Sequence, residues 1–120
     1  MRCEVDYYRT SNGNCPVEEF LDSLPNKLLA KNMRAIELLE ENGTSLPYPH
    51  AKKIEGKTYK GLWELRVKQS TNHTRIFYFY FPSGNRAILL SGYKKESNST
   101  PEQELDRAKK YMKEAIERNI

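Results

Sequence analysis

The chain has 120 residues, enough for one domain with its own hydrophobic core, and a formal net charge of +4. Its two cysteines, Cys3 and Cys15, lack the spacing of a zinc or redox site and are expected to be reduced thiols, one of them in a strand. No N-terminal apolar run reads as a signal peptide and no stretch approaches the length of a membrane span, so a cytoplasmic protein with no membrane partner is expected.

Residues 2–8 alternate, with Cys3, Val5 and Tyr7 against Arg2, Glu4, Asp6 and Tyr8, which predicts a half-buried strand. Residues 11–14, SNGN, form a turn signal. Pro16 opens a short helix over VEEFLDSL, with Glu18 and Glu19 near the positive end of its dipole, and Pro25 ends it. A second helix is predicted over 26–41. Its apolar stripe is Leu28, Leu29, Met33, Ile36 and Leu39, and Gly43 stands as its C-terminal cap. The two helices should form a hairpin lying on a sheet.

Residues 44–60 hold Pro47, Pro49, Gly56 and several lysines, and read as a loop with a short strand near Ala51–Ile54. Three strands follow, at about 62–69, 74–81 and 86–93, joined by turns at STNH (70–73) and PSGN (82–85). In the first, Trp63, Leu65 and Val67 oppose Leu62, Glu64, Arg66 and Lys68. In the second, Ile76, Tyr78 and Tyr80 oppose Arg75, Phe77, Phe79 and Phe81. A final helix is expected from Thr100-Pro101, with Thr100 capping, Pro101 in the first turn and an apolar repeat of Leu105, Ala108, Met112, Ala115 and Ile116. The order β-α-α-β-β-β-α makes residues 1–120 one α+β domain of two layers, an antiparallel sheet core with a helical hairpin and a C-terminal helix.

The charge is unevenly spread. Residues 51–95 carry ten Lys/Arg against only Glu55 and Glu64, a net +8, while the rest of the chain carries −4. A basic centre in an acidic frame suggests a local anion site. The cations sit among strand residues: Arg66, Lys68, Arg75, Lys94 and Lys95 fall in or at the ends of the central strands. Arg grips phosphate oxygens with a planar fork and Lys supplies a point charge, while aromatics such as Tyr93 and Phe77 offer stacking surfaces. That is the composition of an RNA-contacting face, although most of the aromatics are expected in the core.

Chemistry at such a face would run without a metal or other cofactor, since no Asp/Glu cluster or phosphate-cradling glycine loop is present. Both histidines, His50 and His73, lie in predicted loops. RNA cleavage can proceed on Arg, Lys and Tyr, because the 2′-hydroxyl is an internal nucleophile and the protein need only position it and stabilise the phosphorane. Arg75, as a strand-end residue facing solvent, is expected to matter little for folding.

Four ordered motifs carry a resemblance over nearly the whole chain: GLWELR at 61–66, RIFY at 75–78, LLSGYKK at 89–95 and TPxxELxxA at 100–108. Together they resemble the HigB-like, phage Gp49-like branch of the RelE/ParE toxin superfamily. The resemblance implies a RelE-like two-layer domain that is the toxin of a type II toxin–antitoxin pair. It implies a metal-independent endoribonuclease that enters the ribosome and cuts mRNA during translation. The implied partners are a HigA-like helix-turn-helix antitoxin, the ribosome and mRNA, with operator DNA reached only through the antitoxin complex. By this resemblance the catalytic residues are Arg66, Arg75, Lys94 and Lys95, with Arg75 holding the scissile phosphate. Lys52, Lys53, Lys68, His73 and Tyr93 are implied to contact RNA or the ribosome. His50 and His73 both correspond by rough position to the catalytic histidine of some members. The rival readings are a ParE-like poison of DNA gyrase, which would lack the full set of strand cations, and a non-catalytic RNA-binding module of the same shape.

Overall fold

The computed structural model describes residues 2–96 and 100–119. In chain order the elements are β1 (Glu4–Tyr7), α1 (Pro16–Asp22), α2 (Asn26–Asn42), a single 3₁₀ turn (Gly43–Ser45), β2 (Ala51–Lys53), β3 (Trp63–Gln69), β4 (Asn72–Tyr80), β5 (Arg86–Lys95) and α3 (Glu102–Glu117). The strands form one sheet in the order β1-β5-β4-β3-β2. β2 through β5 pair antiparallel, so the expected meander and the short strand near 51–54 are both present. β1 differs. It runs parallel to β5, from Glu4 opposite Arg86 to Tyr7 opposite Leu89, which makes the sheet mixed. The α1–α2 excursion carries the chain to the far edge at β2, and the meander brings it back to β5, beside β1 and in the same direction. Arg86 Nε donates to Asp6 Oδ2 at 2.5 Å and ties the two strands together.

The alternation in β3 and β4 separates two cores, one on each face of the sheet. On one face Leu65, Val67, Ile76, Tyr78, Ala87 and Leu89 pack under the helical hairpin with Val17, Leu21, Leu28, Ile36 and Leu39. On the other, Leu62, Phe77, Phe79, Ile88, Leu90 and Tyr93 pack with Ala108 and Ala115 of α3. Each large apolar side chain buried in either core contributes about 1.5–3 kcal/mol.

The helices depart from expectation in detail. The buried stripe of α2 is Leu28, Asn32, Ala35, Ile36 and Leu39, and Met33 is 43% exposed. Steps of four, three and four residues keep 28, 32, 35 and 39 on one line, and residue 33 lies about 100° round from 32. Asn32 is tolerated there because its Nδ2 donates to the Leu28 carbonyl at 3.0 Å and its Oδ1 accepts from Thr74 Oγ1 at 3.1 Å. Gly43 does end α2, at φ +54, a value that favours glycine. In α3 the cap position is taken by Pro101 itself, with extended backbone angles and no side-chain cap bond, so Thr100 does not cap the helix. Ile116 is 44% exposed rather than part of the core.

The β3–β4 hairpin is tighter than the STNH signal implies. Gln69 pairs with Asn72, so the loop is only Ser70 and Thr71, with Ser70 at φ +58. His73 therefore lies in β4, not in a loop. β5 continues through Lys95, two residues past its expected end.

Candidate active site

Strand register assembles the site. Arg66 of β3 lies opposite Arg75 of β4, which lies opposite Tyr93 of β5. One step towards the turn, Lys68, His73 and Lys95 form a second cross-strand row. One step the other way, Lys52 of β2, Glu64, Phe77 and Ser91 form a third. Side chains two apart on a strand share a face, so all three rows look out on the α3 side of the sheet. With strands about 4.8 Å apart and alternate residues about 7 Å apart, Arg66, Arg75, Lys68, His73 and Lys95 fit a patch of about 10 by 7 Å. Phe77 and Tyr93 stack with ring centroids 5.7 Å apart at the boundary of the α3 core. Beyond them the face is charged.

The register also separates residues adjacent in sequence. Lys53 pairs with Trp63, and Lys94 with Thr74, so both belong to the hairpin-helix face, where they are exposed. Of the sequence-derived site residues, Arg66, Arg75, Lys95, Lys68, His73, Tyr93 and Lys52 come together, and Lys94 and Lys53 do not join them.

The centre of the site is more buried than a strand end facing solvent. Arg75 is 3% exposed and Glu64 is 4% exposed. Glu64 Oε1 lies 3.3 Å from Arg75 Nε, and Oε2 lies 3.7 Å from Arg66 Nη1. Arg75 Nη1 donates to its neighbour's carbonyl, Thr74 O, at 3.0 Å. Arg66 rests its guanidinium 5.1 Å from the centre of the Tyr48 ring, which is 67% exposed. An open hollow of about 300 Å³ is lined by Arg66, Val67, Lys68, His73 and Arg75 of the sheet and by Pro49 and His50. A second, of about 390 Å³, shares His50, Arg66 and Lys68 and runs on to Lys31 and Arg34 of α2. Sequence reasoning undervalued Glu64, although its spacing of two from Arg66 places it beside the cations. Tyr48 gave no such signal, since its position depends on the path of the loop before β2.

The shared field shifts the titrating groups. Burial, then the charge of Arg66, pulls the Arg75 guanidinium below its ordinary value, with Glu64, Tyr93 and Tyr48 opposing; guanidinium remains charged in any case. Withdrawal from water and then Arg75 lower Lys95, with Arg66 and Lys52 adding to the effect and Glu64 opposing it. Burial raises Tyr93, which stays a phenol. Partial desolvation first, then Arg75, Lys68, Lys95 and Arg66, hold His73 below 6.5, so its imidazole is neutral at pH 7. Because the folded value is the lower one, the unfolded chain takes up this proton first as the pH falls. Stability is then lost as the pH drops through 6.5 towards the folded value. His73→Asn is expected to remove that part of the dependence, read as the melting-temperature difference between about pH 7.5 and about pH 5.5. An unchanged difference would show that the cation rows do not act on this imidazole.

Among the described residues, no three His, Cys, Asp or Glu side chains are grouped to hold a metal ion, and no helix is long and apolar enough to cross a membrane. Cys3 and Cys15 are buried free thiols.

An antiparallel meander with a parallel β1, a hairpin of helices on one face and a single helix on the other is the RelE fold of toxin–antitoxin toxins. The free E. coli toxin RelE, in an arginine-substituted mutant, superposes with a TM-score of 0.55 at 12% identity, covering 100% of both chains. A chain of the toxin–antitoxin complex RelBE2 from Mycobacterium tuberculosis gives a TM-score of 0.53 at 17% identity, covering 79% of this chain and 100% of that one. Residues 19–113 match the family described as phage-derived protein Gp49-like (DUF891), and the chain belongs to that family. No curated protein matches it.

Proposed function

We propose that this protein is the toxin of a type II toxin–antitoxin pair and acts as a ribosome-dependent mRNA endoribonuclease in the cytoplasm. The observation that carries the reading is the pair of cross-strand rows, Arg66–Arg75–Tyr93 and Lys68–His73–Lys95, on the α3 side of the sheet, at the boundary of the α3 core and beyond it. Arg66 and Arg75 would bind the scissile phosphate and take up the charge that builds on it as the 2′-oxygen attacks. His73, neutral at pH 7, is suited to accept the 2′-hydroxyl proton. Lys95, with its lowered proton affinity, is suited to donate to the leaving 5′-oxygen. Lys52, Lys68 and the continuation towards Lys31 and Arg34 would track the flanking backbone. Lys53 and Lys94, on the other face, are left for ribosomal RNA or the antitoxin. The antitoxin is read as HigA-like from the motif resemblance, and the RelBE2 relative was itself solved as a toxin–antitoxin complex.

Few proton-transfer groups face the site, so positioning by the ribosome should supply much of the rate. In a cell-free translation reaction with a defined mRNA, 5′-end mapping is expected to show cuts that require ribosomes and are lost in Arg66→Ala. Intact mRNA with normal protein synthesis would overturn the nuclease reading and direct the next assay to DNA gyrase. Equal cutting of naked RNA would leave a ribonuclease but remove the ribosome from the mechanism.

A further inference from the structure

Among the described residues, Glu64 is the one acidic side chain in the three cross-strand rows, and its burial there calls for a reason. A carboxylate is withdrawn from water only where it is paired, and the interior site must stabilise its charge. Arg66 and Arg75 stand directly opposite one another across β3 and β4, an arrangement that like charges disfavour. Glu64 divides its two oxygens between them, Oε1 towards Arg75 Nε at 3.3 Å and Oε2 towards Arg66 Nη1 at 3.7 Å. Glu64 Oε1 and Arg75 Nε are both buried and neither makes a hydrogen bond, so what joins them at 3.3 Å is an ion pair. Arg75 Nη1 is occupied by Thr74 O. With its Nε edge turned to Glu64 and Nη1 turned to the backbone, Arg75 has Nη2 left to meet an incoming anion.

We propose that Glu64 is the positioning residue of the two-arginine clamp. It fixes the Nε edge of Arg75 and offsets the repulsion between Arg66 and Arg75, so that both forks face one phosphate. Glu64 does not touch the substrate, and it transfers no proton. A clamp without it would still be cationic, and would carry one more net positive charge, but its forks would no longer be held. Binding of an anion should therefore survive the loss of Glu64, while any step that needs the arginines in register should suffer. The rate readout rests on the nuclease reading; the spectroscopic one does not.

The test uses Glu64→Gln, which keeps the shape, and Glu64→Asp, which keeps the charge with one methylene less reach. In ¹⁵N-resolved spectra of the parent, the Arg75 Nε–H is expected as a distinct resonance protected from exchange, moved and exchanging faster in Glu64→Gln. On ribosomes, the single-turnover cleavage rate of Glu64→Gln is expected to fall by about 10²-fold. Its affinity for ribosomes should be undiminished and the shape of its pH profile unchanged, and Glu64→Asp should recover part of the rate. An Arg75 Nε–H unaffected by Glu64→Gln would overturn the proposal, as would parental cleavage. So would a lost limb of the pH profile, which would make Glu64 a proton-transfer group, or binding and rate falling together, which would make it merely structural. If Glu64→Gln does not fold, Glu64→Asp with the same Arg75 resonance decides. If the parent cuts no RNA, the nuclease reading fails, and the resonance still decides the role of Glu64.

Discussion

Arg75→Ala is expected to abolish the proposed mRNA cleavage and also to lower the unfolding free energy by about 3 kcal/mol. The second effect is the departure from a solvent-facing strand-end arginine, whose removal would leave folding untouched. Arg75 is 3% exposed and faces Glu64, which is 4% exposed. Its removal leaves a buried carboxylate with Arg66 at 3.7 Å as its remaining partner and opens a space in the middle of the sheet. Losing one member of a buried pair costs more than the pair contributes, because the desolvation of the other goes uncompensated. Arg75→Lys separates the two effects. The ammonium can still answer Glu64, so stability should largely return, but it cannot form the two-point fork, and cleavage should stay low. Urea denaturation alongside ribosome cleavage reads both quantities. An Arg75→Ala protein as stable as the parent would mean that Glu64 does not depend on it.

The faces of the central strands were legible because strand periodicity is rigid. Glu64, Arg66 and Lys68 had to look away from Trp63, Leu65 and Val67, and Arg75 and Phe77 away from Ile76 and Tyr78. Register was not legible, because it depends on the length of the turns. A four-residue loop at STNH leaves His73 outside the sheet; the two-residue loop at Ser70 and Thr71 sets it between Lys68 and Lys95. The same alternation splits Lys94 from Lys95, which read as a pair only while β5 was taken to stop at Tyr93. The parallel pairing of β1 with β5 left no trace in the local pattern of β1, since a half-buried edge strand alternates in either direction. Tyr48 and His50 reach the site through a proline-rich loop, where no periodicity constrains where a side chain ends up.

Gly92→Ala is expected to be the most disruptive single-methyl addition near the site. Gly92 lies in β5 opposite Ile76, between Ser91 and Tyr93. Its place in the LLSGYKK motif reflects space, not backbone freedom. A Cβ there would meet the Phe20 ring of α1 at 2.4, 2.8 and 2.9 Å, well inside contact distance. Phe20 is half-buried and packs against the hairpin-side core, so its ring must turn aside and give up part of the contact between α1 and the sheet. Overpacking of this kind costs about 1–3 kcal/mol. It should also move β5 relative to β4, and Tyr93 and Lys95 with it, away from Arg75 and His73. Cleavage should therefore fall further than the loss of folded protein explains. Phe20→Ala removes the obstacle, at the cost of a cavity of its own. In combination with Gly92→Ala, the two changes should be less destabilising than their sum, by more than about 0.5 kcal/mol. Strict additivity in denaturation would show that the glycine is not there for the ring. A double variant that regains stability but not cleavage would place the remaining defect in the register of β5 against the two arginines.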